Sequence, residues 1–218
     1  MNKKVLLILP LTTLLASCNL LNRFFASNET TSSSKETSNE SDTKSLSTSE
    51  ESFTFKGIKT FNFRNIPFNV GTKVADKRIE FEDFLNQEER IVDYLDINNI
   101  FVQPVGDPDE GNKSLCVGSS SGGGRITFNF FYTVKRISFT IQAYHKYIAY
   151  SDSWSIDEGE LEVEGHSYTN LSYSSSNSAP DIVVDEFELD YYQFSISFSN
   201  SDAYSRTYIH ELTVEYYE

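Results

Sequence analysis

Ile126-Thr127-Phe128-Asn129-Phe130 and, a little further on, Ile137-Ser138-Phe139-Thr140-Ile141 place an apolar side chain at every second position. A β-strand turns successive side chains to opposite faces, so each run has one apolar and one polar face, as a half-buried antiparallel strand requires. The alternation returns in Phe194-Ser195-Ile196-Ser197-Phe198 and from Ile209 to Tyr216. Less regular stretches at 53–63, 100–105, 115–117, 160–164 and 183–189 read as further strands. Turn signals separate them: Ser119 to Gly124 reads as a mobile hairpin, Thr133 as the point after which a strand returns antiparallel, and Gly165 as the break between 160–164 and Tyr168. Only Phe81, Phe84, Leu85, Ile91, Val92 and Leu95 approach helical spacing, which predicts a short helix near 80–89. With no helix alternating between strands, the sequence predicts an all-β fold, a single antiparallel β-sandwich or jelly roll with at most one or two short helices.

That domain is expected over residues 53–218, a length that supports one core and not two. Before it, from Ser27 to Ser52, the chain is almost wholly Ser, Thr, Glu, Asn, Asp and Lys. Such a composition buries too little surface to offset backbone entropy, and predicts a disordered tether over 18–52. At the start, Lys3 and Lys4 precede an apolar run from Val5 to Leu15 that ends in Leu15-Ala16-Ser17-Cys18. The run is shorter than the ~20 residues of a bilayer span, and Pro10 interrupts it.

Residues 1–17 with Cys18 resemble the lipobox signal peptide of bacterial lipoproteins. The resemblance implies cleavage before Cys18, a lipid on its sulfur, and retention at the extracytoplasmic face of the cell membrane. The membrane is then a partner through that lipid alone. Removing the leader takes away Lys3 and Lys4 and no acidic residue, leaving 16 basic against 32 acidic side chains, a formal charge of −16. So acidic a chain excludes nucleic acid as a partner, because binding there rests on Lys and Arg neutralising phosphates. Anionic lipid head groups are repelled in the same way.

If Cys18 carries lipid, Cys116 has no intrachain partner, and no disulfide staples the domain. Within Ser114-Leu115-Cys116-Val117 it reads as a small buried hydrophobe. Three histidines, at 145, 166 and 210, form no ligand-spaced cluster for zinc; His145 and His166 read as exposed, and His210, next to Ile209, as turned away from the core. From Leu115 onward, Leu115-Cys116-Val117-Gly118 leads into a strand, a second strand ends in Gln142-Ala143-Tyr144, Leu161 to Gly165 follows, and Arg206 to Tyr216 closes the chain. In that order of features the last hundred or so residues resemble galactose-binding-like β-sandwiches, a likeness that implies the fold and transfers no ligand residue.

Three constellations have chemistry to offer. Tyr144, Tyr147, Tyr150 and Trp154 cluster with His145 and Asp152 in a segment that leaves a strand and becomes irregular. Aromatic faces stack on the C–H faces of sugars, so this loop is a candidate glycan site, alongside the plainer reading that the rings cover a sandwich end. Asp107, Asp109 and Glu110 in Gly106–Gly111 offer oxygen ligands to calcium, or simply form an exposed acidic turn. Glu160-Leu161-Glu162-Val163-Glu164 resembles the Glu-x-Asp-x-Glu strand of jelly-roll glycoside hydrolases, which implies a retaining pair in Glu160 and Glu164, but Glu162 stands where that family has Asp. The leading expectation is a lipid-anchored surface protein with a ligand-binding sandwich, carbohydrate its ligand. The alternatives are a surface glycoside hydrolase and a module that contacts another protein.

Overall fold

A computed structural model describes residues 52–172 and 179–218; the leader, Cys18 and the tether up to residue 51 lie outside the described residues. The fold is all-β and antiparallel, with one short helix. Its strands are β1 Phe55–Asn62, β2 Val92–Asn98, β3 Ile100–Pro104, β4 Lys113–Val117, β5 Arg125–Ala143, β6 His145–Ile148, β7 Ser153–Ile156, β8 Leu161–Val163, β9 His166–Tyr168, β10 Val183–Ser199 and β11 Thr207–Tyr217. Nine of them form one sheet, and β6 and β7 make a separate hairpin.

The sheet is organised around β5. Along one edge β10 follows it from end to end, while on the other β2 pairs with Arg125–Phe130 and β11 with Thr133–Ala143. Beyond β11 lie β4, at Thr207–Ile209, and β1, at Glu211–Tyr217. Strand partners thus change halfway along both β5 and β11, and the sheet curls into a sandwich-like shell round its apolar face.

The stretch read as two strands meeting near Thr133 is one strand of 19 residues, and no turn interrupts it. Ile126, Phe128 and Phe130 face the core from even positions, Ile137, Phe139 and Ile141 from odd ones. The register supplies the cause: Glu215 pairs with Arg136 and Tyr216 with Val134, so Lys135 is an extra residue that reverses which side chains point inward. On the opposite edge β10 is irregular between Glu188 and Gln193, and the Lys135 ammonium donates to the carbonyl of Leu189 there. The two stretches of β10 that read as separate strands are likewise continuous through this point.

The loop from Ser119 to Gly124 closes a tight local turn between Ser119 and Gly122 but does not pair β4 with β5, which flank opposite edges of β11. The loop therefore steps across the start of β11, and backbone packs on backbone there. A Cβ on Gly124 would lie 2.6 Å from the carbonyl oxygen of Asn99, and one on Gly123 2.7 Å from the carbonyl carbon of Ser201. Asn200 fastens the crossing by accepting from Gly124 N at 2.6 Å and donating to Val117 O and Ser205 O. Gly165 behaves as read: with Glu164 it forms the two-residue turn of the β8–β9 hairpin, both at positive φ, 49° and 82°.

The helix, α1, spans Arg78–Leu85 and ends four residues short of the helix expected near 80–89. Asn86 ends it by accepting from Ile91 N and Val92 N and donating to Val92 O, which turns the chain directly into β2. Phe81 packs against Phe63, Phe68 and Phe84, and the core proper centres on Phe128, with Phe63 at 6.0 Å and Phe198 at 6.1 Å.

At the end where β4, β5 and β11 meet, the outer face of the sheet is buried as well. Thr207, Tyr208, Ile209 and His210 are all inaccessible, as are Ser114 and Cys116. The outer layer holds Cys116, Tyr208 and Tyr144, with His145, His210 and Gln142 among them as buried polar groups. His210 points away from the main core, as its alternation implied, but into this second layer and not into solvent.

Candidate functional site

The β6–β7 hairpin rises from this outer layer. Ala143 and Tyr144 carry the chain out of β5, Tyr147 pairs directly across from Trp154, and Asp152 at φ 45° closes the turn. The segment expected to be irregular is therefore an ordered hairpin. Directly opposed positions on two strands bring side chains together, and the Tyr147 and Trp154 rings lie 5.4 Å apart. Tyr147 donates its phenol proton to Asp152 at 2.6 Å, which fixes the ring against the turn.

The base of the hairpin is fixed by charge and stacking. Asp157 holds Arg206 through two hydrogen bonds of 2.5 and 3.0 Å, and the guanidinium lies 3.7 Å over the Tyr144 ring. Tyr144 is thereby covered, 7% exposed, and belongs to the packing. Tyr150, at the tip, is 92% exposed and lies outside the cleft described next.

Between the hairpin and the segment joining β3 to β4 opens a cleft of about 520 Å³. Trp154 and Tyr147 give it an aromatic wall; Asp107, Glu110 and Asn112 come from the β3–β4 segment; His145 and Gln142 lie deeper, and Arg64 enters from the turn after β1. Two of the sequence candidates far apart in the chain, the aromatic pair and the acidic turn, are thus brought to one place. Gly106 permits it, at φ 75° with its carbonyl accepting from Tyr147 N, and a Cβ there would sit 3.9 Å from the Trp154 ring.

The carboxylates of the acidic turn are engaged within the turn itself. Asp107 uses Oδ1 to accept from Asp109 N at 2.9 Å and cap the turn Pro108–Glu110, and Glu110 accepts from Asn112 Nδ2 at 3.0 Å. Asp109 lies outside the cleft lining, and among the described residues no three carboxylate, His or Cys side chains converge as metal ligands.

His145, expected to be exposed, is 2% exposed, and burial lowers its pKa. Its Nδ1 lies 3.0 Å from the Ala143 carbonyl, which only accepts, so Nδ1 carries the proton and Nε2 is an acceptor. Behind it, His210 Nε2 faces Gln142 Oε1 at 3.1 Å and His210 Nδ1 faces Ser114 Oγ at 3.0 Å. Cys116 is fully buried beside Tyr208 and Tyr144, and burial pushes its thiol up to about 12, an unreactive state.

The three glutamates divide. Glu160 and Glu162 line a smaller groove of about 200 Å³ beside Tyr168 and Ser199. Glu164 sits in the turn, where its Oε1 accepts from Ser197 N at 2.6 Å; burial raises its pKa, with the Ser197 amide acting against that. Glu164 is thereby tied to the backbone of β10, while Glu160 lines the groove.

Arg64 and Gln142 are site residues the sequence did not single out, and His145 was placed beside the aromatic cluster but read as exposed. His145 had a signal, since it stands two positions before Tyr147 and thus on the same face of β6. Arg64 and Gln142 had none, because their approach to Trp154 depends on the pairing of strands far apart in the chain. Fold and site together define an all-β, sandwich-like domain with one aromatic-walled polar cleft beside its outer layer. No family model, curated protein or solved structure matches the chain.

Proposed function

We propose that this chain is a lipid-anchored, extracytoplasmic binding protein whose tether presents the sandwich domain and whose cleft takes a carbohydrate. The observation that carries the reading is the cleft itself: a half-buried Trp154 beside Tyr147, with carboxylate, amide, imidazole and guanidinium groups around the same space. Sugars have apolar C–H faces and hydroxyl edges, and a site for them needs an aromatic platform ringed by acceptors and donors. Binding is favoured over hydrolysis because Glu164, one of the two carboxylates a retaining pair would need, accepts from the Ser197 amide.

The test is retention on a panel of immobilised glycans. Trp154→Ala should weaken the bound glycan by about 1 to 3 kcal/mol while its circular dichroism stays that of wild type, as for an aromatic anchor. Unaltered binding by a folded Trp154→Ala variant would sink the reading.

A further inference from the structure

We propose that the ligand of this cleft is an acidic sugar, its carboxylate on Arg64 and one of its hydroxyls donating to His145 Nε2; this rests on the cleft being a carbohydrate site. Arg64 is held in the short turn Phe63–Asn65, between buried Phe63 and Ile66, with its amide donating to Asn62 Oδ1 at 3.0 Å. Its backbone is therefore fixed while its guanidinium lines the cleft. Among the described residues that guanidinium makes no ion pair and no hydrogen bond. Arg78, Arg125, Arg136 and Arg206 each face a carboxylate, and Arg90 lies 4.9 Å over Phe131. Of the six described arginines only Arg64 and Arg90 face no carboxylate, in a chain with 32 acidic and 18 basic residues, and Arg64 is the one that stands in the cleft beside Trp154. A guanidinium presents paired N–H groups that match a carboxylate in two parallel bonds.

The second contact comes from His145. Its residue is 98% buried in effect, with 2% exposed, yet Nε2 has no partner in the protein, and no polar side-chain atom among the described residues is both buried and unsatisfied. Nε2 therefore opens to the cleft as a bare acceptor, suited to a hydroxyl proton and not to an anion. The two carboxylates at the rim, Asp107 and Glu110, already accept from Asp109 N and Asn112 Nδ2. Their negative charge repels an acid placed near them and accepts hydroxyls, so the ligand can seat its carboxylate only towards Arg64.

The experiment is calorimetric titration of the full chain with methyl hexuronides, the matching neutral methyl hexosides, and acetate as a carboxylate without a sugar. A charge-assisted pair should make the hexuronides bind roughly tenfold to a hundredfold more tightly than the neutral sugars. Arg64 is exposed, so Arg64→Ala should fold as wild type and lose that preference while keeping the neutral sugars; Arg64→Lys should recover part of it. Equal affinity for acidic and neutral sugars, or a preference that survives Arg64→Ala, overturns the inference and leaves the carbohydrate reading standing. Acetate binding as tightly as a hexuronide overturns it too. Failure of every sugar with the wild-type chain removes the carbohydrate reading, and the inference with it.

Discussion

His210 illustrates how one side chain couples the buried outer layer to pH. The Gln142 amide donates to Pro180 O at 2.6 Å, so its Oε1 must face the imidazole; that fixes a proton on Nε2, while Nδ1 competes with the Ile209 carbonyl, 2.8 Å from Ser114 Oγ, for the single hydroxyl proton of Ser114. Burial, with the charges of Arg64 and His145 added, lowers its pKa to about 3. Above the ordinary histidine value of about 6.5 neither state carries the proton, and the site is neutral to pH. Below it the unfolded chain binds a proton that the folded chain refuses, so stability falls as pH drops towards 3, by up to roughly 1.4 kcal/mol per unit. Urea unfolding from pH 7 to 4 should show that slope, and His210→Gln should flatten it relative to wild type. Parallel slopes for the two proteins would contradict the neutral, buried assignment. At this scale the sequence was half legible: alternation with Ile209 placed His210 off the main core, but nothing local announced that a second layer would cover it.

Among the elements, β5 and the crossing at Gly123 and Gly124 decide how the sheet closes. The change of parity between Phe130 and Ile137 was visible in the sequence, and a turn and a single extra residue both produce it. Only the register with β10 and β11 distinguishes them, and that information lies more than fifty residues away along the chain. The glycine run was visible too. Its cause, three backbones packed at the start of β11, was not, since Asn99 and Asn200 come from remote turns. Gly124→Ala forces backbone apart and should cost about 2 kcal/mol or more. Gly111→Ala meets open space at φ 73°, and should cost about 1 kcal/mol from its left-handed conformation alone. Denaturant midpoints give the comparison directly. Equal costs would mean that the loop is as free as its composition suggested.

For the whole molecule, the fold class followed from strand alternation because burial of one sheet face is a local, period-two property. The cleft did not, because it gathers the turn after β1, the β3–β4 segment, the end of β5 and the β6–β7 hairpin. The aromatic pair and the acidic turn were each legible as candidates, and their meeting was not. The proposed anchoring makes its own prediction: Cys18 is the only thiol of the lipobox, so Cys18→Ala should remain unlipidated and uncleaved in a lipid-labelling experiment, with the domain still folded. Label on that variant would refute the anchor. The central claim, that the cleft beside the hairpin is where a sugar binds, is tested most directly by the chain's single tryptophan. Titrating the wild-type chain with the panel sugars should give a saturable change in Trp154 fluorescence as the ring leaves water for a stacked ligand. Emission that stays constant while a sugar demonstrably binds would contradict the account, since the ligand would then sit elsewhere.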